Sequence, residues 1–159
     1  MSAHDDAKLI GNDWKLMSGL KVKQLKTRLK VLFEEGVDLF GIGEADPNRE
    51  EKLLSRCLAA FSIYNATGCL GIEAAKSVWD GGDDNGIDAA YYDPAEKQVV
   101  LVQSKWIHSG IGEPSAADVS VFVDGIKDLI ENNLDAFGER LQDKADEISL
   151  HLMQPGTTV

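Results

Sequence analysis

The sequence is short of positive charge, of cysteine and of long apolar runs. Sixteen lysines and arginines stand against 27 aspartates and glutamates, a formal net charge of −11. A chain this acidic repels phosphate over the molecule as a whole, which argues against a simple nucleic-acid-coating protein. The two cysteines, Cys57 and Cys69, have no CxxC spacing and sit in apolar surroundings, so they read as reduced thiols of a cytoplasmic protein. No apolar stretch approaches the roughly 18 residues of a membrane span, and no signal-peptide core follows Met1. The expectation is a cytoplasmic chain with no membrane partner. Histidine is scarce and scattered at His4, His108 and His151; His108 follows Lys105 closely enough to approach a site beside it, but a surface or loop role is expected for it. There is no internal repeat and no low-complexity tract. What is present in quantity is apolar residue, 43% of the chain, sufficient for the core of one domain plus an appendage.

The most informative stretch is Asp80-Gly-Gly-Asp-Asp-Asn-Gly-Ile-Asp88, an acidic glycine-rich turn leading into a short strand. A second, strongly apolar strand, Gln98-Val-Val-Leu-Val-Gln-Ser-Lys105, ends in a polar pair at i, i+2. Between them Asp93-Pro94-Ala95-Glu96-Lys97 is a turn signal. If Asp93 pairs with Gln98 across this turn, the same register sets Asp88 opposite Gln103, with Cβ atoms roughly 4.5–5.5 Å apart. Strand alternation then puts Lys105 on that face too, beside Asp88 as a satisfied pair. One carboxylate, a second oxygen ligand and a lysine on one face are the layout of a metal-dependent nuclease site. Asp80 and Asp84 read mainly as turn chemistry. A calcium loop is excluded, because aligning Gly86 with the obligatory EF-hand glycine leaves Gly81 and Tyr92 at ligand positions.

The runs Asp80 to Ala89 and Leu101-Val-Gln-Ser-Lys-Trp106 resemble the amino-terminal domain of the abortive-infection phage-resistance (AIPR) proteins, itself similar to the PD-(D/E)xK, restriction-endonuclease-like nucleases. The resemblance spans roughly Asp46 to Phe137 and is specific at those two motifs. It implies that Asp88 is the acidic position, Gln103 the second position and Lys105 the lysine of the motif. Gln103 departs from the usual Asp or Glu and leaves one fewer negative charge on the metal. The family draws a further carboxylate from an early helix. Here Leu53, Leu54, Cys57, Leu58, Phe61 and Tyr64 form a helical stripe centred on Glu50, so Glu50 is preferred to Glu51 for that role. Mg²⁺, with Mn²⁺ as a substitute, would be held by Asp88, the Gln103 side-chain oxygen and the Ser104 carbonyl. The implied activity is phosphodiester hydrolysis, DNA before RNA, in anti-phage abortive-infection defence. The alternative is a catalytically inactive interaction or nucleic-acid-binding module on the same fold.

The expected fold class is α/β. Residues 1–45 form an N-terminal helical arm and linker, in which Trp14, Leu16, Met17, Leu20, Val22, Leu25, Leu29 and Leu32 recur at mixed helical spacings. Residues 46–159 form the nuclease-like domain. It comprises a helix from Asp46-Pro47 to about Asn65, a strand around Gly71 to Trp79, the hairpin and a loop from Ile107 to Ser115. Helices over Ala116–Asn132 and Leu134–Met153 follow. That is the αβββα order of the restriction-endonuclease-like three-layer core without its last strand. It suggests a fragment of a longer protein whose remaining domains are partners, with a sheet edge open to homo-oligomer formation. The one basic stretch, Lys21 to Lys30, reads as a solvated helix face or as a phosphate-tracking arm.

Overall fold

The computed structural model describes residues 19–159, so Trp14, Leu16, Met17 and His4 lie outside the described residues. Among these residues the chain is α/β, with five α-helices and one two-stranded antiparallel sheet. Helix α1 covers 19–33. Helix α2, Arg49–Thr67, begins after Asp46 has accepted a hydrogen bond from the Asn48 N–H at 2.8 Å. It ends at Gly68, whose φ of 68° gives the left-handed C-cap that glycine adopts without strain.

The stretch expected to supply the first core strand is instead helix α3, Gly71–Lys76. Its Gly-Ile-Glu-Ala-Ala-Lys sequence is rich in good helix formers, and Glu73 accepts a hydrogen bond from the Leu70 N–H at 2.8 Å. Only Val78 retains strand character, in a single antiparallel bridge to Ala89.

Strands β1 (Ala89–Asp93) and β2 (Gln98–Val102) pair in the expected register, Asp93 opposite Gln98 and Ala89 opposite Val102. The turn closes as expected as well, with the Asp93 carboxylate accepting from the Ala95 N–H at 2.9 Å. On the outer edge of β2, Gln98 forms a parallel bridge to Thr158. The spatial order is therefore Val78, β1, β2, Thr158, where the sequence suggested a sheet edge left open by a missing last strand.

Alternation along the hairpin feeds two cores. Ala89 packs with Leu54, Cys57, Ala60 and Ile63 of α2 and with Ala74 of α3, and Val102 borders this cluster. Leu29 and Phe33 of α1 and Val37 belong to it too, so the expected arm is part of the core packing. On the other face Ala90 and Val99 join Trp79, Ile87, Leu129, Phe137, Leu141, Ala145 and Ile148. This second core rests on α4 (Ala116–Ile130) and α5 (Gln142–Leu152). Helices thus cover both faces of the hairpin. The helix expected from Leu134 to Met153 is broken: two 3₁₀ turns precede α5, and Gly138 donates its N–H to the Asp83 carbonyl instead.

The acidic loop sits on α4 at contact distance. Gly86 has φ +77°, and Asn85 binds Asp128 of α4 through its side-chain amide at 2.8 Å. A Cβ built on Gly125 would lie 2.1 Å from the Asn85 carbonyl oxygen, a backbone atom that cannot step aside. In an open helix, Gly→Ala stabilises by about 0.5–1 kcal/mol. Gly125→Ala is expected to reverse that sign and to destabilise by about 1–3 kcal/mol through overpacking, read as a lower urea midpoint at unchanged m-value.

Candidate active site

A cavity of about 430 Å³ opens at the end of the hairpin, where Asp88 enters β1 and Gln103 leaves β2. The two residues lie one position beyond the paired strands and line the same cavity. The ladder does not continue to an Asp88–Gln103 pair. Asp88 donates its N–H to the Val102 carbonyl at 2.8 Å, while its own carbonyl accepts from the Trp79 N–H at 2.7 Å and the Asp80 N–H at 3.2 Å. This pinned backbone sets the direction of the side chain.

The Asp88 carboxylate accepts a short hydrogen bond from the Ser104 N–H. Burial, opposed by that bond and reinforced by the Asp84 and Asp80 charges, pushes its pKa up to about 7. Asp84 is also pushed up by burial, though its carboxylate accepts from the Gly86 N–H at 2.9 Å. Asp80 is met by the buried guanidinium of Arg56, Nε to Oδ2 3.3 Å. One carboxylate oxygen from each of Asp80, Asp84 and Asp88 lies within 4.8 Å of the others. Sequence reasoning had assigned Asp80 and Asp84 to turn geometry. Their i, i+4, i+8 spacing in a glycine-rich turn was the available signal, and only the fold brings the three together.

The end of β2 is clasped to α2. Ser104 Oγ donates to the Ser55 carbonyl at 3.0 Å, and the Ser55 hydroxyl accepts from the Trp106 N–H at 3.0 Å. The Gln103 side-chain amide donates to the Asp118 carbonyl in the first turn of α4 at 3.0 Å. This leaves the Gln103 side-chain oxygen as its acceptor toward the cavity. Lys105 is exposed at the rim and forms no ion pair with Asp88, contrary to the sequence expectation. Asp88 finds its partner in the Ser104 N–H, and the Lys105 charge falls on Asp118, helping hold that carboxyl below its usual range after the Ser115 hydrogen bonds.

Glu50 is not among the cavity residues; Glu51 is. Glu50 is drawn to Lys26 at 2.8 Å and Lys30 at 3.2 Å on α1, which hold its carboxyl below the usual range. The buried arc of α2 reaches round to Arg56 and Ala59, so its centre lies well away from the stripe read from the large apolar residues alone. The site faces the other side, Asn48, Glu51, Lys52 and Ser55, at i, i+3, i+4, i+7. That polar repeat is legible in the sequence. Near it, His108 is exposed, with Nε2 3.7 Å from Glu51 and Nδ1 accepting from the Trp106 indole N–H at 3.2 Å.

Compared with protein-family models, with curated proteins and with solved structures, the chain matches none. No described helix is long and apolar enough to cross a membrane.

Because the folded pKa of Asp88 lies above the unfolded value, the native state holds a proton that the unfolded chain has lost over roughly pH 4 to 7. Stability should therefore fall as pH rises through this window and then level off. Asp88→Asn keeps an acceptor for Ser104 and removes the titration. It should exceed wild type in melting temperature at pH 8, with the difference shrinking toward pH 5. Calorimetry in metal-free buffer checks this, and a pH-independent difference would contradict it.

Proposed function

We propose that this chain is a metal-dependent nuclease domain hydrolysing nucleic-acid phosphodiesters, of restriction-endonuclease-like build and serving anti-phage abortive-infection defence. The observation that carries the reading is the shared cavity. The Asp80 and Asp88 carboxylates, with Asp84 close behind them, share it with the Gln103 amide and the rim ammonium of Lys105 at one end of a hairpin packed between helices. The order Val78, β1, β2, Thr158 supports the fold assignment, since it has a strand-like position on each side of the hairpin and the outermost follows the last helix.

The donor set suits a hard cation. Burial, with the neighbouring carboxylate charges adding to it, raises the Asp88 and Asp84 pKa values, an energetic cost that a bound Mg²⁺ or Mn²⁺ would relieve. Asp88, Asp84 and Asp80 would hold it, with the Gln103 side-chain oxygen and the Ser104 carbonyl as neutral donors. Such an ion, when bound, polarises a phosphoryl oxygen and acidifies water.

The protein's own groups divide the remaining work. Ser104 N–H orients Asp88, and Ser55 fixes Ser104 in turn. Lys105, exposed at the rim without an ion pair to Asp88, supplies positive charge where a phosphate gains negative charge. Glu51 replaces Glu50 as the helix carboxylate, positioned to hold a water at the cavity wall. DNA is the preferred substrate of this reading.

Cleavage of single- and double-stranded DNA and RNA with Mg²⁺ and Mn²⁺ tests it. Lys105→Ala should lose on the order of 10²–10³-fold in rate while melting like wild type. Asp88→Asn should lose both cleavage and divalent binding, and Gln103→Glu should bind Mg²⁺ more tightly by adding a charge. Calorimetry that finds no divalent binding to wild type or Gln103→Glu at millimolar metal would sink the nuclease reading and favour the interaction module.

A further inference from the structure

Helix α1 is an electrostatic exception. Over 19–33 it carries Lys21, Lys23, Lys26, Arg28 and Lys30 and no acidic residue, in a chain of net charge −11. The helix does not stand off in solvent. Leu29 and Phe33 are fully buried against α2. A Cβ on Gly110, in the loop that follows Lys105, would strike the Val22 side chain. The helix is thereby wedged between that loop and the first turn of α2, beside the cavity wall formed by Glu51.

Lys23, Lys26 and Lys30 follow one another at i, i+3, i+7 and so share a face bordering the buried stripe. Two of these ammonium groups converge on a single carboxylate. Lys26 lies 2.8 Å and Lys30 3.2 Å from separate oxygens of Glu50, whose side chain is 51% exposed. Two lysines a helical turn apart, closing on the two oxygens of one exposed anion, make a seat of the size and charge of a phosphate. Lys23 is exposed one turn further along.

We infer that this face of α1 binds the phosphate backbone of a nucleic acid, and that Glu50 occupies one phosphate position in the unbound protein. The inference rests on the nuclease reading for the destination of the strand, since the face ends beside the cavity. A polyanion must displace Glu50 to bind both lysines, so the carboxylate acts as a built-in competitor that sets a threshold for binding.

The test is fluorescence anisotropy with a labelled single-stranded oligonucleotide and its duplex, in EDTA at low salt. Glu50→Gln should tighten binding several-fold. Glu96→Gln, an exposed acid at the far turn of the hairpin, removes the same charge and should change affinity far less. The double variant Lys23→Gln/Lys26→Gln should weaken binding and reduce the salt slope by about one per lysine. Equal effects of Glu50→Gln and Glu96→Gln would overturn the inference. So would unchanged affinity in the lysine variant, no binding at the lowest salt, or lysine-dependent uptake by phosphatidylserine vesicles with nucleic acid ignored. Because EDTA removes metal, the assay is independent of divalent-ion binding at the cavity. Lysine-dependent binding with inactive wild type in Mn²⁺ would leave the seat standing and the nuclease reading fallen.

Discussion

The buried guanidinium of Arg56 is the contact on which the architecture around the cavity depends. Its side chain is 3% exposed, yet it meets three acceptors in two separate parts of the chain. It donates to the Asp38 and Phe40 carbonyls in the segment after α1 and to the Asp80 carboxylate at the start of the acidic loop. The planar fork of arginine suits such divergent acceptors better than a lysine point charge would. A charge taken out of water is tolerated only with its hydrogen bonds filled. The helix therefore fixes the segments that bind it as firmly as they fix the helix. Asp80 is thereby given a cation partner, which neither Asp84 nor Asp88 has.

The hairpin was legible in the sequence because its information is local. A turn with Asp93 and Pro94 set the register, and the chain leaving β2 carries Gln103, Ser104 and Lys105 into one cavity. What failed depended on comparisons that local pattern does not make. Gly71 to Lys76 is apolar enough for a buried strand, but alanine, glutamate and a backbone-capping Glu73 favour the helix. Glu50 was placed by large apolar side chains alone. The buried Arg56 and the fully buried Ala59 turn α2 so that its polar repeat faces the site. The Asp80, Asp84 and Asp88 cluster was illegible for a different reason, since a turn brings its acids together only when something holds the loop in place.

The cavity combines groups of opposite preference. On one wall, crowded carboxylates favour protonation or a cation; on the rim stand Lys105 and Lys52, the latter 2.7 Å from Asp46. The ammonium groups and the inner acids remain separate, because Ser104 and Arg56 satisfy Asp88 and Asp80 from below. Had Lys105 reached Asp88, the pair would have cancelled and Asp84 alone of the three acids would stand without a cation partner. The hydrogen bond from the Ser104 N–H is thus an orienting contact that preserves polarity across the site.

The glycine contact between the acidic loop and α4 has a mechanical consequence. With no side chain at Gly86 or Gly125, the loop backbone lies directly on the helix backbone, and Asn85 is tied to Asp128. A loop ordinarily has its own soft modes, but this one inherits the stiffness of the helix beneath it. Asp84 and Asp88 flank the contact, so their separation is governed by the seating of α4 rather than by the entropy of a glycine-rich turn. The glycines usually associated with flexibility here remove it.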